Sequence, residues 1–90
     1  MEHRVATVEI YSKSWCGFCN RAKKLLEMKK VDFVEHDIER EPGERAVMIQ
    51  RAGGRTTVPQ IFIDGRHIGG CNDLFELEMD GKLDPLLKAA

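Results

Sequence analysis

Two cysteines about one helical turn apart, Cys16 and Cys19, fall where a strand pattern gives way to a helix pattern. No other feature constrains the chain as much. Upstream, Val5-Ala6-Thr7-Val8-Glu9-Ile10-Tyr11 is β-branched and apolar, the composition of a largely buried strand. Downstream of Ser14-Trp15-Cys16-Gly17-Phe18-Cys19, Ala22, Leu25 and Leu26 recur at helical spacing, with Arg21, Lys23, Lys24, Lys29 and Lys30 on the other faces. A cysteine at such a junction lies in the first turn of a helix, where N–H groups lack internal partners and the dipole is positive. Both effects favour thiolate over thiol. The second cysteine is close enough to close a small disulfide ring onto the first. Cys16 can therefore attack a disulfide and Cys19 can resolve the mixed disulfide that results. The pair reads as a redox motif.

The competing reading of Cys-x-x-Cys is half of a zinc site, with His67 and Cys71 completing a Cys3His set. A structural zinc pair normally sits on a tight knuckle in a chain too small to build a core. Here the pair opens a long amphipathic helix, and the remaining segments supply enough apolar periodicity to fold without metal. The redox reading is preferred.

Ninety residues suit one domain, spanning 1–90, and 42% hydrophobic with 32% charged residues is ordinary for a globular chain. The net charge of −1, with both signs interspersed, points to neither nucleic acid nor an anionic membrane as the main partner. No apolar run approaches the length of a bilayer span. Met1-Glu2-His3-Arg4 has no apolar stretch or small-residue cleavage site, so no secretory leader is read there. Three cysteines are an odd count for a secreted disulfide framework and suit a catalytic dithiol in a reducing compartment. The expected location is the cytoplasm.

No internal repeat or linker interrupts the chain. A strand over about Val5–Tyr11, a helix to about Lys30 and a strand over Val31–Ile38 form a βαβ unit, so the two strands should be parallel with a right-handed crossover. Pro42 suits the first position of a helix running to about Ala52. That helix should turn Ala46, Val47 and Ile49, with Met48 as a further candidate, toward the core and stop at Gly53-Gly54. Gln60-Ile61-Phe62-Ile63 is a strand, and Asp64-Gly65 before Arg66-His67-Ile68 is a strong hairpin signal. After Gly69-Gly70, Asn72 or Asp73 caps a helix to about Asp80, with Leu74, Leu77 and either Phe75 or Met79 facing inward. Gly81 ends it, and Asp84-Pro85-Leu86-Leu87 starts a final helical turn. The order is βαβαββα, an α/β chain with a mixed four-stranded sheet flanked by helices. His3, His36 and His67 have no obvious partners and read as surface residues.

Lys13-x-x-Cys16-x-x-Cys19, Thr57-Val58-Pro59 and Gly69-Gly70-Cys71-Asn72-Asp73, in this order, resemble the motifs of the glutaredoxins, and the likeness runs from Val8 to Leu87. The bacterial dithiol class is the nearest match. The resemblance implies a thioredoxin-like fold and glutathione-dependent reduction of protein disulfides and glutathione mixed disulfides. Cys16 would be the nucleophile and Cys19 the resolving thiol. Glutathione would be the co-substrate, recycled by a separate NADPH-dependent reductase. Ribonucleotide reductase is one protein target the family implies, and a monomer is expected.

Glutathione carries a carboxylate at each end, one of them beside an amine, so its site needs donors at both ends and a backbone edge between them. Lys13 is placed to reach one carboxylate, the alternative being a solvated loop lysine, and Arg55 can add a guanidinium or be a plain loop charge. In the family, Thr57-Val58-Pro59 holds a cis bond before the proline and leaves the Val58 N–H and C=O to pair with the peptide. Gly69-Gly70 allows close backbone approach or simply makes a turn. The following helix start offers N–H groups, Asn72 a backbone contact and Asp73 a partner for the ammonium. Phe18 and Cys71 complete the expected surface, Cys71 as a buried small residue and not a third redox thiol.

Gly17 and Phe18 depart from the commonest Cys-Pro-Tyr-Cys pattern. Cys-Gly-Phe also introduces the monothiol subfamily, but Cys19, a short loop before Cys16 and the absence of that subfamily's downstream tryptophan motif place this chain with the dithiol class. Gly17 leaves an alternative open, a dimer that carries a [2Fe–2S] cluster through Cys16 and glutathione.

Overall fold

The computed structural model describes residues 6–88. Its elements are β1 (Val8–Ser12), α1 (Gly17–Met28), β2 (Phe33–Asp37), α2 (Glu44–Arg51), β3 (Gln60–Ile63), β4 (Arg66–Gly69), α3 (Cys71–Met79) and α4 (Leu83–Leu87). The four strands form one mixed sheet in the order β2-β1-β3-β4. β1 and β2 are parallel, with Val8 opposite Phe33 and Ser12 opposite Asp37. β1 and β3 are antiparallel, with Val8 opposite Ile63, and β3 and β4 form the expected antiparallel hairpin. Asp64 and Gly65 both take positive φ, 52° and 79°, the backbone a two-residue turn of this hand requires.

Alternation along the strands divides the core in two. Val8, Ile10, Ile61 and Ile63 face Ala22, Leu25 and Leu26 of α1, Cys71 and Leu74 of α3, and Leu83 and Leu87 of α4. On the opposite face Tyr11 and Phe62 pack with Met48 and Ala52. The sheet thus carries α1, α3 and α4 on one side and α2 on the other. Among the described residues no helix is long and apolar enough to cross a membrane.

Several boundaries differ from those expected. β1 begins at Val8, and Val5 lies outside the described residues. Thr7 instead exchanges hydrogen bonds with Asp64 in the hairpin turn, and the Ala6 N–H donates to the Leu87 carbonyl in α4. α1 ends at Met28, and Lys30 turns the chain with φ 59°. Pro42 is not in a helix. The Asp37 carboxylate accepts the N–H groups of Glu39 and Arg40, which winds the connection into a turn, and Gly43 at φ 91° precedes α2. On α2 the buried residue is Met48, with Ile49 half-buried, while Ala46 and Val47 face solvent.

The histidine expectation is also corrected, His3 lying outside the described residues. His36 is half-buried on β2, stacked on Tyr11, with Nε2 3.1 Å from Glu9 Oε2 and Nδ1 3.4 Å from Glu44 Oε2. His67 is half-buried against Phe62, with Nε2 2.7 Å from Gln60 Oε1. Both lie between elements whose pairing supplies their partners.

Candidate active site

The redox pair sits where β1 delivers the chain onto α1. Cys16 is the N-cap of α1, in extended backbone, and its Sγ accepts the Cys19 N–H at 3.2 Å. This satisfies one of the donors that a helix start leaves without a partner. The sulfur also lies 3.9 Å from the Val58 carbonyl oxygen, to which the thiol can donate. Cys16 is 8% exposed and Cys19 is fully buried; both are free thiols. Burial, and then the adjoining Cys16 sulfur, push the Cys19 thiol up to about 12. The two cysteines are one turn apart and chemically unlike: one edges a cleft, the other lies beneath it.

The Val58–Pro59 peptide bond is cis, as the resemblance implied. Thr57 and Val58 are walls of two adjoining cavities, and Phe18 is a third shared wall. One, of about 500 Å³, holds Cys16 with Lys13, Gly17, Ile38, Arg45 and Thr56. The other, of about 250 Å³, is completed by Arg55, Pro59, Gly70, Cys71, Asn72 and Asp73. Every residue expected at a glutathione surface lines one or both. Lys13 belongs to the cavity on the Cys16 side, and Arg55 and Asp73 to the far one, so opposite ends of the cleft carry the charged groups.

The far end is built by the corner between β4 and α3. Gly70, and neither Asn72 nor Asp73, is the N-cap of α3, which corrects the sequence expectation. Asp73 serves the same purpose from the first turn: its Oδ2 accepts the Gly70 N–H at 2.8 Å and an Arg55 N–H at 3.2 Å. These two contacts, the backbone one first, hold the Asp73 carboxyl below the usual carboxylate range despite partial burial. Arg55 is therefore no idle loop charge. Gly69 takes φ 119°, and a side chain there would run into the Asp73 carboxylate. Cys71 is buried at 5% exposure, and desolvation pushes its thiol upward, as befits a packing residue.

Among the described residues, Cys16, Cys19, His67 and Cys71 do not form a group with converging ligand atoms. The sequence reading missed Arg45, Ile38 and Thr56 as cleft walls and Glu39, whose Oε1 accepts the Ser14 N–H at 3.2 Å and fixes the loop before Cys16. None carries a motif signal. Ile38, Glu39 and Arg45 reach the site because the β2–α2 connection and the first turn of α2 fold back beside the cysteine loop, which only the strand pairing reveals, and Thr56 comes in with the cis-proline loop before β3.

The glutaredoxin family model matches residues 8–68. Glutaredoxin 3 of Escherichia coli is 57% identical over 84 residues, covering 93% of this chain and all of that protein. The buckwheat glutaredoxin–glutathione complex superimposes with a TM-score of 0.83 at 38% identity, covering 91% of this chain and 76% of the other. The holo form of glutaredoxin C1 from Populus tremula x tremuloides gives 0.81 at 34% identity, covering 90% and 82%. Sequence and fold agree over nearly the whole length, and the chain accordingly belongs to the glutaredoxin family of thiol–disulfide oxidoreductases.

Proposed function

We propose that this protein reduces protein disulfides and glutathione mixed disulfides at the expense of glutathione, with Cys16 as nucleophile and Cys19 as resolving thiol. The observation that carries the reading is the Cys16 sulfur at the head of α1, accepting the Cys19 N–H at 3.2 Å on the wall of a cleft with charged groups at both ends. A backbone N–H and the positive end of α1 both face the sulfur that would attack.

Glutathione would lie along the cleft, its backbone beside Val58 and its thiol toward Cys16. Lys13 and Arg45 would face the glycyl carboxylate. At the γ-glutamyl end, an ammonium and a carboxylate share one carbon, and the Arg55–Asp73 pair offers a charge of each sign. The first-turn N–H groups of α3 add to the anion side. The glutathione complex of the buckwheat relative supports this choice of ligand.

With a glutathionylated target, the Cys16 thiolate attacks the glutathione sulfur. The Cys16–glutathione disulfide forms and the target leaves as a thiolate. A second glutathione thiolate attacks the glutathione sulfur of that intermediate, giving oxidised glutathione and regenerating the Cys16 thiolate. With a protein disulfide, Cys16 bonds one target sulfur and releases the other. Cys19 then loses its proton and attacks Cys16, forming the Cys16–Cys19 disulfide and freeing the target thiol. Two glutathiones reduce that disulfide. Such a cycle belongs in a reducing compartment, which supports the cytoplasm as its location, and the family resemblance suggests ribonucleotide reductase as one target.

The test is a pair of substrates on two variants. Cys16→Ser should abolish turnover of both a small glutathione mixed disulfide and a protein disulfide, since an alcohol supplies almost no anion near neutral pH. Cys19→Ser should keep or raise the first activity and lose most of the second, where intramolecular resolution gives a high effective concentration. Loss of both in a folded Cys19→Ser protein would overturn the roles.

A second reading, a cluster held through Cys16 and glutathione, has one observation in its favour. A Cβ at Gly17 would meet nothing within 4 Å, so the packing of this chain does not call for glycine there. Gly17 lines the same cavity as Cys16 and adds no side chain to it. Such a cluster would supply electron or cluster transfer in place of thiol exchange. Visible absorption of anaerobically purified protein, with and without glutathione, distinguishes the two.

A further inference from the structure

We propose that Trp15 is the anchor by which this protein takes hold of protein disulfides, packing on an apolar side chain next to the target cysteine; the inference rests on Cys16 as the attacking sulfur. Trp15 is the chain's one tryptophan, and it is 100% exposed. It also takes φ 60°, in the left-handed region that non-glycine residues rarely adopt. Both features cost free energy: a large ring left in water and a backbone conformation that disfavours a side chain. Among the described residues the exposed ring has no covering neighbour. Such a conformation persists only where the surroundings impose it, and here they do. The Ser12 carbonyl accepts the Ile38 N–H at 2.9 Å and the Ser14 N–H donates to Glu39 at 3.2 Å, pinning the loop on both sides of Lys13. Trp15 is held out, and it lines neither cavity of the glutathione cleft.

Covalent geometry selects the occupant. When Cys16 is bonded to a target, the two Cα atoms lie roughly 4.4–6.8 Å apart, and the Trp15 Cα is about 3.8 Å from that of Cys16. Residues flanking the target cysteine must then pass within reach of the indole. In glutathione those positions are a γ-glutamyl group and a glycine, neither with an apolar side chain to offer. Trp15 therefore separates protein substrates from the small one. An aromatic or aliphatic neighbour of the target cysteine would be covered by the ring, and the water around both would be released.

Two disulfide-linked peptides identical except for Phe or Ser beside the cysteine provide the probe. Wild-type protein should prefer the Phe peptide in kcat/KM by about three- to tenfold, the range of one aromatic contact. Trp15→Ala should erase the preference, Trp15→Phe should keep it, and all three should turn over the glutathione–mercaptoethanol mixed disulfide alike. Independently of turnover, Cys19→Ser protein trapped with each peptide should show tryptophan emission shifted to the blue with Phe and not with Ser. A preference that survives in Trp15→Ala, or emission that ignores the Phe peptide, overturns the anchor. Protein that fails on the small mixed disulfide but keeps the peptide preference and the emission shift sinks the glutathione reading and leaves the anchor standing.

Discussion

At the scale of single residues, two cysteines in one helical turn are set apart by what surrounds each sulfur. Cys16 meets a backbone N–H at the edge of a cleft. Cys19 meets protein on every side, and its thiol is pushed up to about 12. Cys71 is buried on the far wall and also pushed up. Iodoacetamide at pH 7 on folded, reduced protein should therefore label Cys16 first, by at least about tenfold in rate, because the thiolate is the reacting form. Peptide mapping reads the order, and equal labelling of Cys19 or Cys71 would contradict it. Once Cys16 is tied up in a mixed disulfide, burial still keeps Cys19 protonated at neutral pH. The single-turnover rate of resolution should then rise with pH from 6 to 8, following the thiolate fraction of Cys19; a flat profile would show that its proton is not limiting. Lys13 is exposed on the Cys16 side of the cleft. Lys13→Ala should weaken glutathione binding to Cys16→Ser protein by about 1 kcal/mol, less at high salt, as expected of a charge-assisted contact screened by water. Calorimetry at two ionic strengths measures both, and unchanged affinity would make Lys13 a solvated loop residue.

At the scale of elements, the corner from β4 into α3 shows how a loop without catalytic groups of its own sets up a binding end. Gly69 at φ 119° lets the chain turn and leaves room for the Asp73 carboxylate, which in turn holds the Gly70 N–H and Arg55. Gly69→Ala should cost roughly 2–3 kcal/mol, combining left-handed strain with displacement of Asp73. It should also weaken glutathione binding, which a denaturant titration beside calorimetry would separate; a loss below about 0.5 kcal/mol would mean the corner relaxes freely. The Gly69-Gly70 punctuation was legible in the sequence because glycine has few reasons to be doubled before a helix. Which residue caps α3 was not, since Asn72 and Asp73 are both good caps and the choice of Gly70 depends on where β4 ends. The hairpin was legible for a similar reason: Asp64-Gly65 specifies its own backbone locally. α2 marks the limit. Ala46-Val47-Met48-Ile49 is apolar all round, so periodicity cannot choose a face. The sheet chooses Met48, whose partner Ala52 lies one turn on. The cysteine pair, Lys13 and the cis-proline loop could be read because their motifs are short and local, whereas Arg45 and Glu39 enter the site through tertiary packing alone.

At the scale of the whole molecule, the two faces of the sheet are held by different means. Three helices cover one face through an apolar cluster. Among the described residues the other has only α2, eight residues long, and a small cluster around Tyr11, Phe62 and Met48. A polar clamp supplements it. Arg51 of α2 donates to both carboxylate oxygens of Glu9 on β1, at 2.9 and 3.0 Å, and to the Tyr11 hydroxyl at 2.8 Å. Its guanidinium lies 4.1 Å over the Phe62 ring. His36 completes the clamp from β2. The Arg51 hydrogen bonds, more than the flanking His36, hold the Glu9 carboxyl below its ordinary range against the opposing effect of burial. A carboxylate whose folded value is depressed contributes stability above its unfolded value, about 4.3, and loses that contribution as pH falls through the folded one. Glu9→Gln should accordingly unfold more easily at pH 7, by roughly 1–2 kcal/mol for a two-point Arg–carboxylate contact that is mostly buried. The difference between wild type and variant should shrink steadily as pH falls below about 4.3, as first the unfolded chain and then the folded Glu9 carboxylate takes up a proton. Glu35 and Asp73 are depressed as well, so both proteins lose stability in acid, and the quantity to follow is the gap between them. Urea unfolding of the pair at pH 7, 5 and 3 supplies it. A gap as large at pH 3 as at pH 7 would mean that shape, and not charge, makes Glu9 matter, and that α2 is held to the sheet by packing alone.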